Sequence, residues 1–334
     1  MKTAILFILM MLILIAPHEF GHFIVAKLCD VKVNEFAVGM GPLLFKKKKG
    51  ETQYSLRLIP IGGFCAMEGE DNSSDNPRAF NNKSPLQRIA ILLAGVTMNV
   101  VIAFLVCIIA VQISGVPVNT LDSVVKGSPA AIAGMQGDDK IIEIDGIETK
   151  SWDDVLTQIE SYEKGNQLEV KVNRDGTVMD FDITPKYDKD RQGYTIGIVA
   201  SVSKNPILAV KYGAETTVNL TREMFKSFQM LFAKGISKDD VSGPVGLVKI
   251  VGEASSAGVT SYLILLALVS LNLALINLIP IPGLDGGKLL FVILKWITGG
   301  KISDDMETKA SIIGLLLLLS LFVLITINDV RNLF

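Results

Sequence analysis

Four uncharged and almost wholly apolar stretches recur along the chain, separated by segments rich in polar and charged residues. A helix needs about 20 such residues to span the hydrocarbon core of a bilayer, and each stretch reaches or approaches this length. The first stretch runs on without a small-x-small cleavage site, so we interpret it as a retained span rather than a signal peptide. The pattern predicts four transmembrane helices, within residues 1–28, 86–113, 261–297 and 310–330.

Residues 31–66, after the first predicted span, have the period of β-strands rather than of a loop. Tyr54, Leu56 and Leu58 alternate with polar residues, and a charged, glycine-containing tip at residues 46–51 separates two apolar arms. We expect a membrane-associated β-hairpin here. Its edge could pair with an unwound substrate strand, or the hairpin could only pack on the spans, and the sequence favours neither.

The long polar segment between the second and third spans predicts a small α+β domain at residues 115–188. Ser151 and Asp154 form the capping box of a helix, whereas residues 141–144 and the segments on either side of a turn at 174–176 alternate as strands do. The phrases Ser-Pro-Ala, Ala-Gly-Met-x-x-Gly-Asp and Ile-x-x-Ile-Asp-Gly, in this order, resemble a PDZ domain of the permuted bacterial type. The resemblance implies binding of C-termini or exposed strands by β-augmentation.

Residues 205–258 are expected to be amphipathic and helical, and to lie on the outer membrane surface or across the mouth of the spans. The apolar side of this segment is formed by Met224, Phe225, Phe228, Leu231 and Phe232. Within the second span, Gly95 and Asn99 interrupt the apolar run. We interpret them as structural positions, where a small residue allows close helix contact and an amide bonds across helices.

Lysine and arginine set the expected orientation. The segment after the first span carries nine of them, and the connection before the fourth carries Lys295, Lys301 and Lys309, so both are expected in the cytoplasm. The termini and residues 115–188 then lie outside. A mean hydropathy of +0.44 with 20% charged residues fits spans joined by water-soluble segments. The net charge of −2 implies no nucleic-acid partner, and the three cysteines imply no disulfide framework.

The two histidines of the chain, His18 and His22, lie in the first predicted span with Glu19 between them. On a helix this spacing puts both imidazoles on one face, where they can bind one Zn²⁺ with Glu19 close enough to act on a water molecule. A His-Glu-x-x-His match also arises by chance. Ionisable residues within a span cost about 2.5–3.5 kcal/mol each, however, so three within five positions favour a metal site.

Asp285 is a candidate third ligand. Pro280 and Pro282 must end the third helix just before it, and broken backbone at membrane depth is tolerated only where protein buries it or a wet cavity adjoins it. His18 lies roughly 22 Å into a span that enters from outside, and Asp285 reaches a comparable depth. Two histidines and one carboxylate leave a fourth position open, as in catalytic zinc sites. The alternative is a turn residue in Asp-Gly-Gly at the membrane surface.

These features together resemble the site-2 protease family of intramembrane zinc metalloproteases. The likeness rests on the motif from His18 to His22, on the Asn-x-x-Pro-x-Pro-x-x-Asp-Gly segment that ends at Gly286, and on the PDZ-like domain between the second and third spans. This chain has room for a single PDZ domain, whereas the best-known relative has two. How that relative screens its substrates therefore does not carry over.

The resemblance implies roles for six residues of this sequence. The implied zinc ligands are His18, His22 and Asp285, the implied catalytic base is Glu19, and the implied contacts to the substrate backbone are Asn272 and Asn277.

The resemblance further implies a zinc metalloendopeptidase of the bacterial inner membrane that cuts peptide bonds within or next to transmembrane segments. Its partners would be the lipid bilayer and transmembrane protein substrates, with anti-sigma factors and remnant signal peptides fitting equally well, and its oligomeric state is left open. The PDZ domain would lie outside, and the active site toward the cytoplasmic side. The alternative is a non-catalytic membrane PDZ scaffold or sensor that binds peptides, against which the intact Glu19 argues. A transporter is less favoured, because four spans with one carboxylate offer a poor ion path.

Overall fold

Nine α-helices and ten β-strands make up the part of the chain that the computed structural model describes. The described residues are 1–70, 74–163, 165–189, 192–234, 243–299 and 301–331. The helices in chain order are α1 (Lys2–Leu28), α2 (Pro85–Ser114), α3 (Pro129–Ala133), α4 (Trp152–Glu160), α5 (Pro206–Lys234), α6 (Pro244–Ala257), α7 (Val259–Leu278), α8 (Asp285–Ile297) and α9 (Asp304–Arg331). The strands are β1 (Val33–Lys49), β2 (Thr52–Met67), β3 (Val116–Val124), β4 (Lys140–Ile144), β5 (Ile147–Glu148), β6 (Leu168–Arg174), β7 (Thr177–Ile183), β8 (Lys186–Asp188), β9 (Gly193–Thr195) and β10 (Ile198–Ser203).

The chain divides into two compact units. The first consists of Met1–Ala110 together with Gly213–Phe334, and the second is Val111–Tyr212. Four described helices of the chain are long and apolar enough to cross a membrane, which confirms the predicted number of spans. These stretches are Lys2–Leu28, Pro85–Ser114, Val259–Leu278 and Asp305–Asp329.

The third predicted segment, 261–297, consists of two helices. α7 ends at Leu278, Ile279 turns to an extended conformation with ψ 135°, and α8 begins at Asp285. Pro280 has no N–H with which to continue the helical ladder, so the predicted break occurs where expected. The segment is nevertheless not one continuous span, because the 13 residues of α8 form a separate helix that is too short to cross a bilayer.

Helices α1, α2 and α7 pack around one apolar core in the first unit. Its buried members include Met10, Leu14, Ala103, Cys107, Leu266 and Leu271. Helix α5, in the predicted amphipathic segment 205–258, adds Met224 to this core, whereas Phe225 is exposed and Phe228 half-buried. The side chains of Leu231 and Phe232 lie outside the described residues. The buried side of α5 is therefore narrower than the predicted apolar side.

Strands β1 and β2 occupy the predicted hairpin segment. Gly39 and Gly41 have φ values of 85° and 80°, which glycine adopts without strain, and they bend β1 along its length. Ala37 lies opposite both Ser55 and Phe64 of β2, because β2 also turns back on itself between these two residues, where Gly62 has a φ of 94°. The hairpin is thus folded back on itself, and the first part of β1 has a stretch of β2 on either side.

The last part of β2, residues 63–67, forms an edge of this sheet. It pairs with residues 33–38 of β1, and no third strand pairs with it in the described part of the chain. Helix α1 contacts β2. The first unit therefore places the backbone of a strand edge next to the helix that carries both histidines.

The second unit is an α+β domain. Its main sheet has the strand order β10–β3–β4–β6–β7, with β5 on β4. The predicted capping box begins α4, since Ser151 Oγ accepts a hydrogen bond from the Asp154 N–H and Asp154 Oδ2 accepts one from the Ser151 N–H. β6 and β7 form the predicted hairpin. The unit does not end at residue 188 as predicted, because β10 pairs with β3 and completes the sheet.

Candidate metal centre

Helix α1 holds His18 and His22 on one buried face. The two residues are four positions apart, about one helical turn, and each is only 6% exposed. Their rings meet edge to face with centroids 4.8 Å apart, and the two Nε2 atoms are separated by 3.2 Å. The imidazoles therefore present both Nε2 atoms to one point, as the sequence spacing predicts.

Asp285 reaches the same point from the first residue of α8. Its Oδ2 atom lies 3.1 Å from Nε2 of His18 and 3.3 Å from Nε2 of His22. The three side chains thus form one cluster, although Asp285 follows the histidines by more than 260 residues.

Two glycines allow α8 to begin so close to the extended backbone that precedes it. A Cβ atom at Gly286 would lie 2.4 Å from the carbonyl oxygen of Ile279, and one at Gly287 would lie 2.3 Å from that of Ile281. Such contacts are far shorter than van der Waals distance. The Asp-Gly-Gly sequence therefore permits the tight turn that brings Asp285 to the histidines.

The spacing of the three ligand atoms fits a single tetrahedral zinc ion. Zn–N and Zn–O bonds of about 2.0–2.1 Å put neighbouring ligand atoms roughly 3.3 Å apart on a tetrahedron. The observed separations are 3.1, 3.2 and 3.3 Å. Asp285 Oδ2 is buried and makes no hydrogen bond to any described residue, an environment that suits a carboxylate oxygen bound to a cation. This donor set leaves one tetrahedral position open.

A surrounding set of hydrogen bonds orients the two rings. His22 Nδ1 is 2.8 Å from the carbonyl oxygen of Ile91, so Nδ1–H donates and Nε2 keeps its lone pair for a metal. The side-chain amide of Asn99 is 3.2 Å from His18 Nδ1. The structure places Nδ2 of this amide toward the ring and gives Oδ1 no hydrogen bond among the described residues. Turning the amide over exchanges two atoms of similar shape, and Oδ1 then accepts from Nδ1–H and leaves His18 Nε2 free in the same way.

Gly95 of α2 gives the two imidazoles the space they occupy. A Cβ atom at this position would lie 2.3 Å from Nε2 of His22 and 2.8 Å from Cε1 of His18. Ile91, Gly95 and Asn99 are spaced by four residues and so share one face of α2. This face of α2 therefore provides the Ile91 carbonyl oxygen, the space left by Gly95 and the Asn99 side-chain amide to the centre.

Glu19 lies in the same cavity as the three ligand atoms. The cavity has a volume of about 430 Å³, and Glu19 packs within it against β2 near Gly63. The side chains that line it are His18, Glu19 and His22 of α1, residues 64–67 of β2, Glu70, and Asp285 and Lys288 of α8. A carboxylate that is not in the ligand cluster therefore shares one cavity with the cluster and with the strand edge.

The remaining two predicted site residues are placed differently. Asn277 lies at the centre, with its amide nitrogen 3.4 Å from Nε2 of His18. Asn272 lies five residues earlier on α7, about 140° around the helix, and no hydrogen bond joins it to the cluster among the described residues. Asn99, interpreted from the sequence as a structural position that bonds across helices, does so, and its partner is the His18 ring. The four-residue spacing between Gly95 and Asn99 was the sequence signal that both residues lie on one face of α2.

Two buried imidazoles and a carboxylate, with a further carboxylate in the same cavity, beside helices long enough to span a membrane, are the arrangement expected of a membrane-embedded metalloprotease. Comparison with known proteins agrees with this class. The model of peptidase family M50 matches residues 6–321, so the chain belongs to peptidase family M50 and is a zinc-dependent membrane protease.

Two curated relatives cover nearly the whole chain or all of it, and a solved structure covers part of it. A protein of Clostridium acetobutylicum, named as a zinc metalloprotease, is 39% identical over 95% of this chain and 94% of its own length. The regulator of sigma-W protease RasP of Bacillus subtilis is 29% identical over 100% of this chain and 99% of its own length. A crystal structure of the PDZ domain of the SdrC-like protein from Listeria innocua is 29% identical and covers 27% of this chain and 96% of its own, with a TM-score of 0.23.

Proposed function

We propose that this protein is an intramembrane endopeptidase in which His18, His22 and Asp285 hold the zinc ion and Glu19 is the general base. The observation that carries the proposal is the convergence of three ligand atoms to within 3.3 Å of one another in a cavity that also contains Glu19. When bound, zinc lowers the pKa of a water molecule and polarises the scissile carbonyl.

Glu19 moves the protons of the reaction. Its carboxylate accepts a proton from the attacking water and later donates it to the amide nitrogen as the C–N bond breaks. Because Glu19 directly follows His18 on α1, the base and a metal ligand are fixed to the same rigid helix. A purely structural metal site would have no use for a carboxylate held at this position.

The edge of β2 at residues 63–67 holds the substrate in extended form. A transmembrane helix hides its own amides, so it must unwind before its carbonyl carbon can be attacked. The strand edge lines the cavity and has no other strand partner in the described chain, which supports pairing with a substrate strand. Asn277, whose amide nitrogen lies 3.4 Å from Nε2 of His18, holds the substrate backbone through its amide, and Asn272 assists from five residues earlier on α7.

The hairpin lies in the membrane, with its basic end on the cytoplasmic side. Leu44 and Phe45 are exposed, and four lysines follow them in sequence. Glu51, in the turn after these lysines, pairs with Lys27 in the last turn of α1 at 2.5 Å. This contact supports placing the four lysines at the membrane surface where the C-terminal end of α1 leaves the bilayer. The zinc centre then lies toward the cytoplasm, and the second unit lies outside.

The second unit is a PDZ domain that controls which substrates reach the centre. It acts as a gate that excludes proteins with bulky external domains, or it senses a free C-terminus. Removing Val111–Tyr212, joined by a flexible linker, widens substrate choice in the first case and lowers cleavage in the second. Because β10 completes the sheet, this deletion leaves no unpaired strand behind, unlike one that stops at residue 188.

The substrates are single-span membrane proteins, such as anti-sigma factors or remnant signal peptides. The test is to mix the purified protein in lipid nanodiscs with a panel of single-span reporters and to locate the cut by mass spectrometry. We expect cleavage within or next to the span, loss of cleavage with a chelator, and recovery when zinc is returned. Cleavage that continues in a chelator-treated, zinc-free sample would contradict the proposal.

A further inference from the structure

Glu70 and Lys288 join two walls of the catalytic cavity. Glu70 comes shortly after the end of β2, and Lys288 lies on α8, one helical turn after Asp285. Lys288 Nζ donates a hydrogen bond to Glu70 Oε1 at 2.8 Å across 218 residues of chain. The side chains are 26% exposed for Lys288 and 14% exposed for Glu70, and both line the cavity.

These walls carry the two parts of the site that must act together. One presents the strand edge at 63–67, and the other carries Asp285. Met67 and Val292 belong to one buried apolar cluster, which brings the walls into proximity without fixing their direction. A charge-assisted hydrogen bond is directional, so the pair of Glu70 and Lys288 sets how the walls are aligned.

We infer that Glu70 and Lys288 are positioning residues whose ion pair sets the separation between the substrate-holding strand and the helix that bears Asp285. A displacement of about 1 Å at a reacting centre can cost roughly 100-fold in rate, so this separation matters for catalysis. The effect on cleavage rests on the proposed function, whereas the effect on wall separation does not. Both side chains are partly exposed, and partly exposed ion pairs contribute little to stability, so loss of this pair should affect alignment more than folding.

Cys65 provides a readout of wall separation that needs neither zinc nor substrate. It lies in the β2 wall and is 7% exposed, whereas Cys107 of α2 is fully buried and serves as an internal reference. In the full chain in nanodiscs, Glu70→Gln and Lys288→Gln should each speed maleimide labelling of Cys65 several-fold and leave Cys107 unchanged. The matched control is Lys295→Gln, which removes another ion pair of α8, to Glu307. Unchanged labelling of Cys65 in both variants would overturn the inference.

Cleavage kinetics then test the catalytic consequence. Each single variant should lower kcat/KM roughly 10- to 100-fold with zinc content unchanged. The double variant Glu70→Gln, Lys288→Gln should be no worse than either single, and the exchange Glu70→Lys, Lys288→Glu should recover activity. Losses that multiply in the double variant, or loss of zinc, would overturn the positioning role. A wild type that labels as expected but cleaves nothing would count against the proposed function alone.

Discussion

The side-chain amide of Asn99 on α2 lies 3.2 Å from Nδ1 of His18 on α1. Asn99 is fully buried, and its backbone carbonyl accepts a hydrogen bond from Ser270 Oγ of α7 at 2.8 Å. One residue of the second span therefore links the first and third spans at the level of the metal centre. A ring held in this way is already oriented with Nε2 toward the other ligands.

Asn99→Leu should weaken zinc binding, because the His18 ring loses the partner that fixes its orientation. Loss of such an outer partner lowers metal affinity about 10- to 100-fold. The measurement is zinc retained against chelators of graded strength. Thr97→Val is the control, since the hydroxyl of Thr97 bonds within its own helix, to Leu93, and to no other described residue, so affinity should be unchanged. Wild-type affinity in Asn99→Leu would show that Asn99 is only a packing residue.

Glu19→Gln should keep zinc and lose cleavage. Glutamine has nearly the same shape as glutamate but cannot accept the proton of the attacking water. Removing a general base costs roughly 100- to 10,000-fold in rate. The comparison is zinc content and reporter cleavage for the same preparation of each variant. Retained cleavage would exclude Glu19 as the base.

Asn277→Leu should slow cleavage about tenfold, the effect of one lost hydrogen bond to the substrate backbone, with metal content unchanged. Asn272→Leu should have a smaller effect, because Asn272 points about 140° away around α7. Both variants are measured for kcat/KM and for zinc. If Asn277→Leu loses zinc instead, its 3.4 Å contact with His18 serves the metal centre and the substrate role is wrong.

Asp139 and Arg174 make the stability of the second unit dependent on pH. Arg174 donates two hydrogen bonds to the fully buried carboxylate, at 2.6 and 2.7 Å. Burial alone would raise the pKa of Asp139, but these bonds and one from the Gln136 N–H outweigh it, so the pKa lies below its ordinary value. The pair therefore stabilises the unit above the ordinary carboxyl pKa, and that stabilisation is lost as pH falls through the lowered one.

Asp139→Asn should remove this contribution and destabilise the second unit by about 3 kcal/mol near neutral pH. Hydrogen exchange of peptides from 111–212 in the full chain reports the loss as reduced protection. In wild type, protection should fall as the solution is acidified below about pH 4, and the variant should show a flatter dependence. Equal protection of the two proteins at neutral pH would contradict this account of the pair.

Local sequence patterns predicted the features that depend on neighbouring residues alone, namely the spans, the helix faces and the helix break. The apolar runs defined the spans, the four-residue spacing put His18 and His22 on one face, and Pro280 marked the break after α7. Asp285 could be proposed because its depth in the membrane follows from counting residues. Each of these inferences needs only the period of a helix or the chemistry of one residue type.

Contacts between distant segments could not be predicted in this way. The pairing of β10 with β3 lies beyond the predicted end of the domain, because no local sequence pattern identifies the partner of a short strand. Glu70 and Lys288 are 218 residues apart, and only the fold brings them together. For Asn99 the residue type suggested a bond between helices, but not that the partner was His18.

The central claim is that two distant segments form one zinc centre, and zinc content tests it without any knowledge of the substrate. The protein is purified in detergent, and wild type is measured beside Asp285→Ala. The account predicts about one zinc ion per chain in wild type and loss or weakened retention in the variant. Full zinc content in Asp285→Ala, or no zinc in carefully handled wild type, would contradict it.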